Sequence, residues 1–182
     1  MQILGTGGET LETYNWYPKE YIWPVPDNDG WIDETGALAT RTIKNGEGVL
    51  IDLVDATTTK VVYSGEVSAE KTEISNTVQG FNWTGNNTPR SISIQDIQLD
   101  FGESEASGND NLQILGTGGE TLETYNWYPK EYIWPVPEKD GWIDETGALA
   151  TKTLTAGQGF LIDIIDPGTK IILPEGYTEK KN

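Results

Sequence analysis

The sequence predicts an all-β protein of short antiparallel strands arranged as a sandwich or barrel, built on an internal duplication. Three observations predict it. Apolar residues come in short runs rich in Val, Ile, Thr, Trp and Tyr, which suit a pleated, half-buried surface. Gly, Pro, Asn and Asp interrupt those runs every few residues. No window of eleven or more residues carries a helical apolar stripe.

Taken in order, residues 11–17 alternate. Period two places Glu12, Tyr14 and Trp16 on one face and Leu11, Thr13 and Asn15 on the other. Tyr21, Trp23 and Val25 are expected to share a face of the next strand. Pro24 and Pro26 remove ladder donors there, so it lies at an edge or leads straight into a loop. Hairpins are predicted to turn at Asn45-Gly46 and Ala156-Gly157. Short strands follow at residues 59–62 and 169–172. Ile92, Ile94, Ile97 and Leu99 alternate in a further strand, with room for one short helical turn, and the polar stretch 102–111 reads as a loop.

Residues 2–55 recur at 113–166, an offset of 111, and residues 2–26 match 113–137 without a change. So long a period suits a domain-sized unit, not a solenoid coil. The exchanges between copies are informative. Ile43/Leu154, Val49/Phe160, Leu53/Ile164 and Val54/Ile165 all remain apolar, as a buried strand face requires. Lys44/Thr155, Asn45/Ala156 and Glu47/Gln158 change freely, as a solvated turn permits. The segment from about residue 65 to 112 occurs once. The order is thus a repeated half, a unique half and the repeated half again. This divides the chain into a partial unit at residues 1–66 and a full unit at 67–182, the latter comprising the unique part 67–112 and the repeated part 113–182.

Composition narrows the function. The chain has 12 basic and 29 acidic residues, a formal charge of −17, so it repels phosphate backbones and anionic headgroups. Nucleic-acid partners are not expected. No run approaches the roughly 18 apolar residues of a membrane span, so membrane insertion is not expected either. Cys and His are both absent. Thiolate chemistry, disulfides and the usual neutral-pH proton shuttle are therefore missing, and zinc loses its commonest ligands. Gln2 already lies inside the repeat, so Met1 is expected to open a piece cut from a longer secreted chain.

The densest candidate constellation is aromatic. Tyr14, Trp16, Tyr17, Tyr21, Trp23 and Trp31 recur as Tyr125, Trp127, Tyr128, Tyr132, Trp134 and Trp142. Rings stack on the apolar faces of sugars while neighbouring Asn, Asp and Glu bond the hydroxyls. The stacking set is taken as Tyr14, Trp16, Tyr21, Trp23 and Trp31 with their five counterparts. The competing reading, that rings this dense form the core of a small domain, carries more weight.

Other constellations are weaker. Asp27-Asn28-Asp29-Gly30 opens like a calcium loop, but no bidentate Glu follows, and the copy carries Lys139. Glu103, Glu105, Asn109 and Asp110 form a second oxygen cluster, read as loop. Asp33-Glu34 and Asp52/Asp55 resemble paired carboxylates, yet strand neighbours point to opposite faces. Gly5-Thr6-Gly7-Gly8 precedes a strand and not a helix, so it is a turn, not a phosphate cradle. Asn82-Trp83-Thr84 and Asn86-Asn87-Thr88 fit the glycosylation sequon, read as incidental. No catalytic residue, metal site or cofactor is expected.

The run Gly80-Phe81-Asn82-Trp83-Thr84-Gly85-Asn86-Asn87-Thr88-Pro89, with Ile92-Ser93-Ile94-Gln95-Asp96-Ile97, resembles tandem β-repeat modules of large secreted or cell-surface bacterial proteins. So does Gly141-Trp142-Ile143-Asp144 with the segment 154–162. In that family a unit begins near Gly80 and ends near Pro174. The resemblance implies an exported, modular, non-catalytic role and assigns no binding residue. The expectation is an extracellular structural or adhesive module whose partner is itself, a neighbouring repeat or, alternatively, a glycan.

Overall fold

The computed structural model describes residues 1–5, 10–44, 47–54, 69–75, 77–103, 106–116 and 120–176. It is all-β, with several small antiparallel sheets and, among the described residues, no longer helix than single 3-10 turns. The strands of the repeated first half are β1 (Gln2–Leu4), β2 (Thr10–Thr13), β3 (Asn15–Tyr17), β4 (Gly30–Ile32) and β5 (Val49–Leu50). The unique segment contributes β6 (Thr72–Ile74), β7 (Gly80–Gly85), β8 (Ile92–Ser93) and β9 (Gln98–Asp100). The second copy contributes β10 (Asn111–Leu115), β11 (Thr121–Tyr128), β12 (Gly141–Ile143), β13 (Thr153–Leu154), β14 (Gly159–Ile164) and β15 (Lys170–Leu173).

A five-stranded sheet runs β12-β11-β10-β14-β7, and a three-stranded sheet runs β6-β15-β9. Alternate residues of both meet in one core. Leu112, Ile114, Tyr125, Trp127, Phe160, Ile162 and Ile164 enter from the large sheet, and Leu99, Ile171 and Leu173 from the small one. Ile92 and Leu154, joined by the two-stranded β13-β8 ladder, close the same core with Ile94 and Ile97. The unique segment and the second copy thus share one core, spanning residues 92–173, and no buried residue of the first copy belongs to it.

The strand expectation at residues 92–99 is interrupted. Ile94–Asp96 is a 3-10 turn capped by Ser93, whose hydroxyl accepts from Gln95 N while Asp96 accepts from Ser93 N. The strand expected over residues 21–25 does not form in either copy. Lys19–Tyr21 and Lys130–Tyr132 are 3-10 turns, followed by bends with cis Trp23-Pro24 and Trp134-Pro135 bonds. Proline denies the ladder its donors, and the chain leaves the sheet altogether.

The predicted turn at Ala156-Gly157 is present, with Gln158 N donating to Thr155 O at 3.0 Å and Gly157 at φ 74°. It does not make a hairpin. β13 pairs β8, whereas β14 pairs β10 and β7, so the turn joins strands of different sheets. Asn45-Gly46, residues 6–8 and 59–62, Asp55 and Glu105 lie outside the described residues. In the loop 102–111, Asn111 belongs to β10 and Asp110 is fully buried, because its carboxylate closes the end of β14.

Buried asparagines explain the Gly80–Pro89 run. Asn82 Nδ2 donates to the carbonyls of Val78 and Gly80 at 2.8 Å, and its Oδ1 accepts from Val78 N at 2.9 Å. Asn86 Nδ2 donates to the carbonyls of Arg90, Leu154 and Thr155 at 2.8, 3.2 and 2.9 Å. These side chains satisfy carbonyls of loops and strand ends. Both sequon asparagines are therefore structural, with amide groups turned inward.

Candidate functional site

Identical residues occupy two unlike settings. In the second copy Glu123, Tyr125 and Trp127 point inward along β11, as period two predicts, and Trp127 is 1% exposed. It meets Trp142 edge to face, ring centroids 5.1 Å apart at 73°. Trp142 is fully buried, and its Nε1 donates to Ile97 O at 2.8 Å. In the first copy Trp16 and Trp31 keep nearly the same pairing, 5.4 Å and 74°. Yet Trp16 is 55% exposed and Trp31 half-buried.

In the second copy the unique segment packs onto the large sheet and its core. β7 pairs β14 over six residues, from Gly159↔Gly85 to Ile164↔Gly80. Gln95 clamps the Trp142 turn, its Nε2 donating to Trp142 O at 2.6 Å and Ala150 O at 3.0 Å, its Oε1 accepting from Trp142 N at 3.2 Å. Among the described residues nothing comparable reaches the first copy. β5 has shrunk to Val49–Leu50 and pairs β1 alone. Leu50, Leu53 and Ile43 are exposed, where Leu161, Ile164 and Leu154 are buried.

Of the ten proposed stacking residues, Tyr14, Tyr125, Trp127 and Trp142 are buried and out of a ligand's reach. Their rings are core, which corrects their assignment as glycan contacts. Trp16 and Trp31 form the partly open pair just described. Tyr21 and Trp23, with Tyr132 and Trp134, are the most exposed rings, at 74% and 85% in one copy and 73% and 83% in the other. Each pair sits on the 3-10 turn and Trp-Pro bend, anchored where Asp29 accepts from Lys19 N at 3.1 Å and Asp140 from Lys130 N at 3.0 Å.

Of the carboxylate candidates, Asp33 and its copy Asp144 have structural partners. Asp33 Oδ1 accepts from Thr35 N, Thr35 Oγ1 and Ala37 N, and Asp144 repeats the pattern. Those bonds hold both acids below the usual carboxylate range, the threonine hydroxyl contributing most. Asp29 caps a turn by accepting from Lys19 N. Among the described residues no three Asp or Glu side chains gather as a metal site.

Two features escaped sequence reasoning. The first is a carboxylate–phenol–cation cluster. Tyr125 Oη donates to Glu123, which also pairs with Lys152; in the other copy Tyr14 donates to Glu12, which pairs with Arg41. Glu123 is lowered by Lys152 first, and Tyr125 is raised by burial first; Tyr14 is raised chiefly by its bond to Glu12. The signal was available, because the Arg41/Lys152 exchange preserves charge. The second is Asp110, from the unique segment, whose Oδ1 accepts from Ile165 N at 2.7 Å and Asp166 N at 3.3 Å.

A groove of about 670 Å³ lies between the first copy and the large sheet, lined by Leu4, Leu50, Val54, Trp83, Leu115 and Phe160 among others. Beside it Gly48 touches Trp83 so closely that a Cβ would stand 2.8 Å from the Trp83 Cβ. No helix among the described residues is long and apolar enough to cross a membrane.

No protein-family model matches the chain, and no curated protein or solved structure is significantly similar to it.

Proposed function

We propose that the chain is a non-catalytic structural or adhesive module of a bacterial surface protein, acting by packing its repeated halves against neighbouring modules. One observation carries the reading. The sequence that lies under the unique segment in the second copy stands partly bare in the first, with Trp16 at 55% exposure against 1% for Trp127. Large apolar side chains left in water forgo about 1.5–3 kcal/mol each, a driving force for association. Light scattering coupled to size exclusion, over a wide concentration range, tests it. Oligomers that vanish on deletion of residues 1–72 support the proposal. A monomer at every concentration, or oligomers that survive the deletion, refutes assembly through the first copy.

A second reading is favoured by a separate observation. The paired rings Tyr21/Trp23 and Tyr132/Trp134 are exposed at the same bend in both copies, as two equivalent stacking sites for glycan rings would be. Polysaccharide binding is then expected to change Trp fluorescence. Trp23→Ala combined with Trp134→Ala is expected to abolish binding while shifting stability by no more than about 0.5 kcal/mol, as for exposed positions. Binding that survives the double substitution eliminates these rings.

A further inference from the structure

We infer that the first copy is an acceptor site for an extended segment with the chemistry of residues 77–103, additional to the one that residues 1–182 contain. The inference rests on the assembly reading and names the partner. What covers the bare face is visible in the second copy, where the same sequence is complete.

The covering segment makes four kinds of contact there. β7 forms the outer edge of β14. β8 pairs Ile92↔Leu154 and Ser93↔Thr153. Gln95 clamps the backbone of Trp142 and Ala150. Ile97 O receives the Trp142 indole. Each receiving group has a counterpart in the first copy: residues 48–53, Thr42-Ile43, the backbone of Trp31 and Ala39, and the Trp31 indole. Gly48 abuts Trp83 of β7, but among the described residues none of these counterparts has the strand pairing or the hydrogen bonds of the second copy. β5 pairs only β1, and Thr42-Ile43 form no strand.

The receiving frame nevertheless stands in its covered geometry. The Trp16–Trp31 pair matches Trp127–Trp142 to within 0.3 Å and 1°, by 5.4 Å and 74° against 5.1 Å and 73°. The adjoining turn is also the same, with Ala39 N donating to Trp31 O at 2.8 Å and Ala150 N to Trp142 O at 2.9 Å. A site already shaped avoids the ordering penalty of binding. The copies have also kept the receiving positions apolar, as Ile43/Leu154, Val49/Phe160 and Leu53/Ile164 show. Residues 49–52 and Val54 line the groove, so the face is open.

The occupant follows from what the face lacks. An unpaired strand edge needs backbone donors and acceptors, which an extended peptide brings. Residues 1–182 hold two receiving sequences and one covering segment. Trading covering segments between two copies leaves the number of bare faces unchanged. The occupant is therefore an additional segment of the same kind.

The test adds a synthetic peptide of residues 77–103 to the full chain, read by titration calorimetry and by hydrogen exchange with mass analysis. One peptide is expected to bind per chain and to slow exchange over residues 48–53 and at Trp31. Residues 48–53 and 159–164 differ in sequence, so their fragments are distinguished by mass. A Gln95→Ala peptide is expected to bind about tenfold or more weakly, having lost hydrogen bonds to buried backbone. Absence of binding, protection confined to residues 159–164, or equal affinity of the two peptides overturns the inference. If the peptide fails while the oligomers lost on deleting residues 1–72 persist, assembly stands and this partner falls. Peptide binding by a chain that stays monomeric upholds the acceptor site without self-association.

Discussion

Asp110 shows how a single side chain joins two strands at a pH-dependent penalty. Burial first, then the neighbouring Asp166 carboxylate, push its pKa to about 6, against two backbone N–H bonds that lower it. Asp166 is itself held below the ordinary range: burial raises it, but bonds from Ser107 and Asp110 prevail. The folded state therefore takes up the Asp110 proton at a higher pH than the unfolded chain, whose aspartates titrate near 3.9. Between those values the native state binds more protons, so Asp110's contribution makes stability increase as pH falls from about 7 to about 4. Asp110→Asn keeps the acceptor oxygen and removes the charge. It is expected to raise stability at pH 7–8 by on the order of 1 kcal/mol and to flatten the profile between about pH 4 and 7. Denaturant melts at several pH values check this, and an unchanged slope refutes it. Sequence pattern alone placed Asp110 in a polar loop. Its burial depends on Ile165 and Asp166, residues 55 and 56 positions away.

At the scale of elements, β14 and its first-copy counterpart separate propensity from pairing. Residues 48–53 and 159–164 differ only by apolar exchanges and share the same alternation. One forms a six-residue strand with neighbours on both edges, the other two residues of strand with one neighbour. Strand preference is mostly packing and cross-strand contact, so the lost neighbour shortens the strand. Ile162→Ala, at a fully buried position, is expected to cost about 2–5 kcal/mol. Ile51→Ala, its half-buried counterpart, is expected to cost about 1 kcal/mol or less. Chemical denaturation of the two variants compares them directly, and equal losses would mean that the first copy is as well covered as the second. The 3-10 bends at Lys19–Tyr21 and Lys130–Tyr132 teach the complementary point. They are alike in both copies because local residues dictate them: an Asp at the tenth residue onward caps the turn, and two prolines exclude a ladder.

For the whole molecule, the core from Ile92 to Leu173 contains no residue of the first copy. The first copy buries Ile3, Tyr14 and Ile22 apart from it and meets the large sheet at Trp83. Stability is accordingly uneven. Native-state hydrogen exchange is expected to find the slowest amides in β7, β10, β11 and β14, and amides of β1 to β5 exchanging orders of magnitude faster. Uniform protection would show one cooperative unit and count against the bare-face reading. Part of the fold was legible beforehand. The sequence by itself determined the all-β class and which residues share a face of β11, because alternation and Gly, Pro and Asp punctuation act over a few residues. Only the tertiary structure decided which copy of each ring is core and which is surface. Local sequence is the same at Trp16 and Trp127, and burial is a property of what lies across the sheet, here a segment that one copy has and the other lacks.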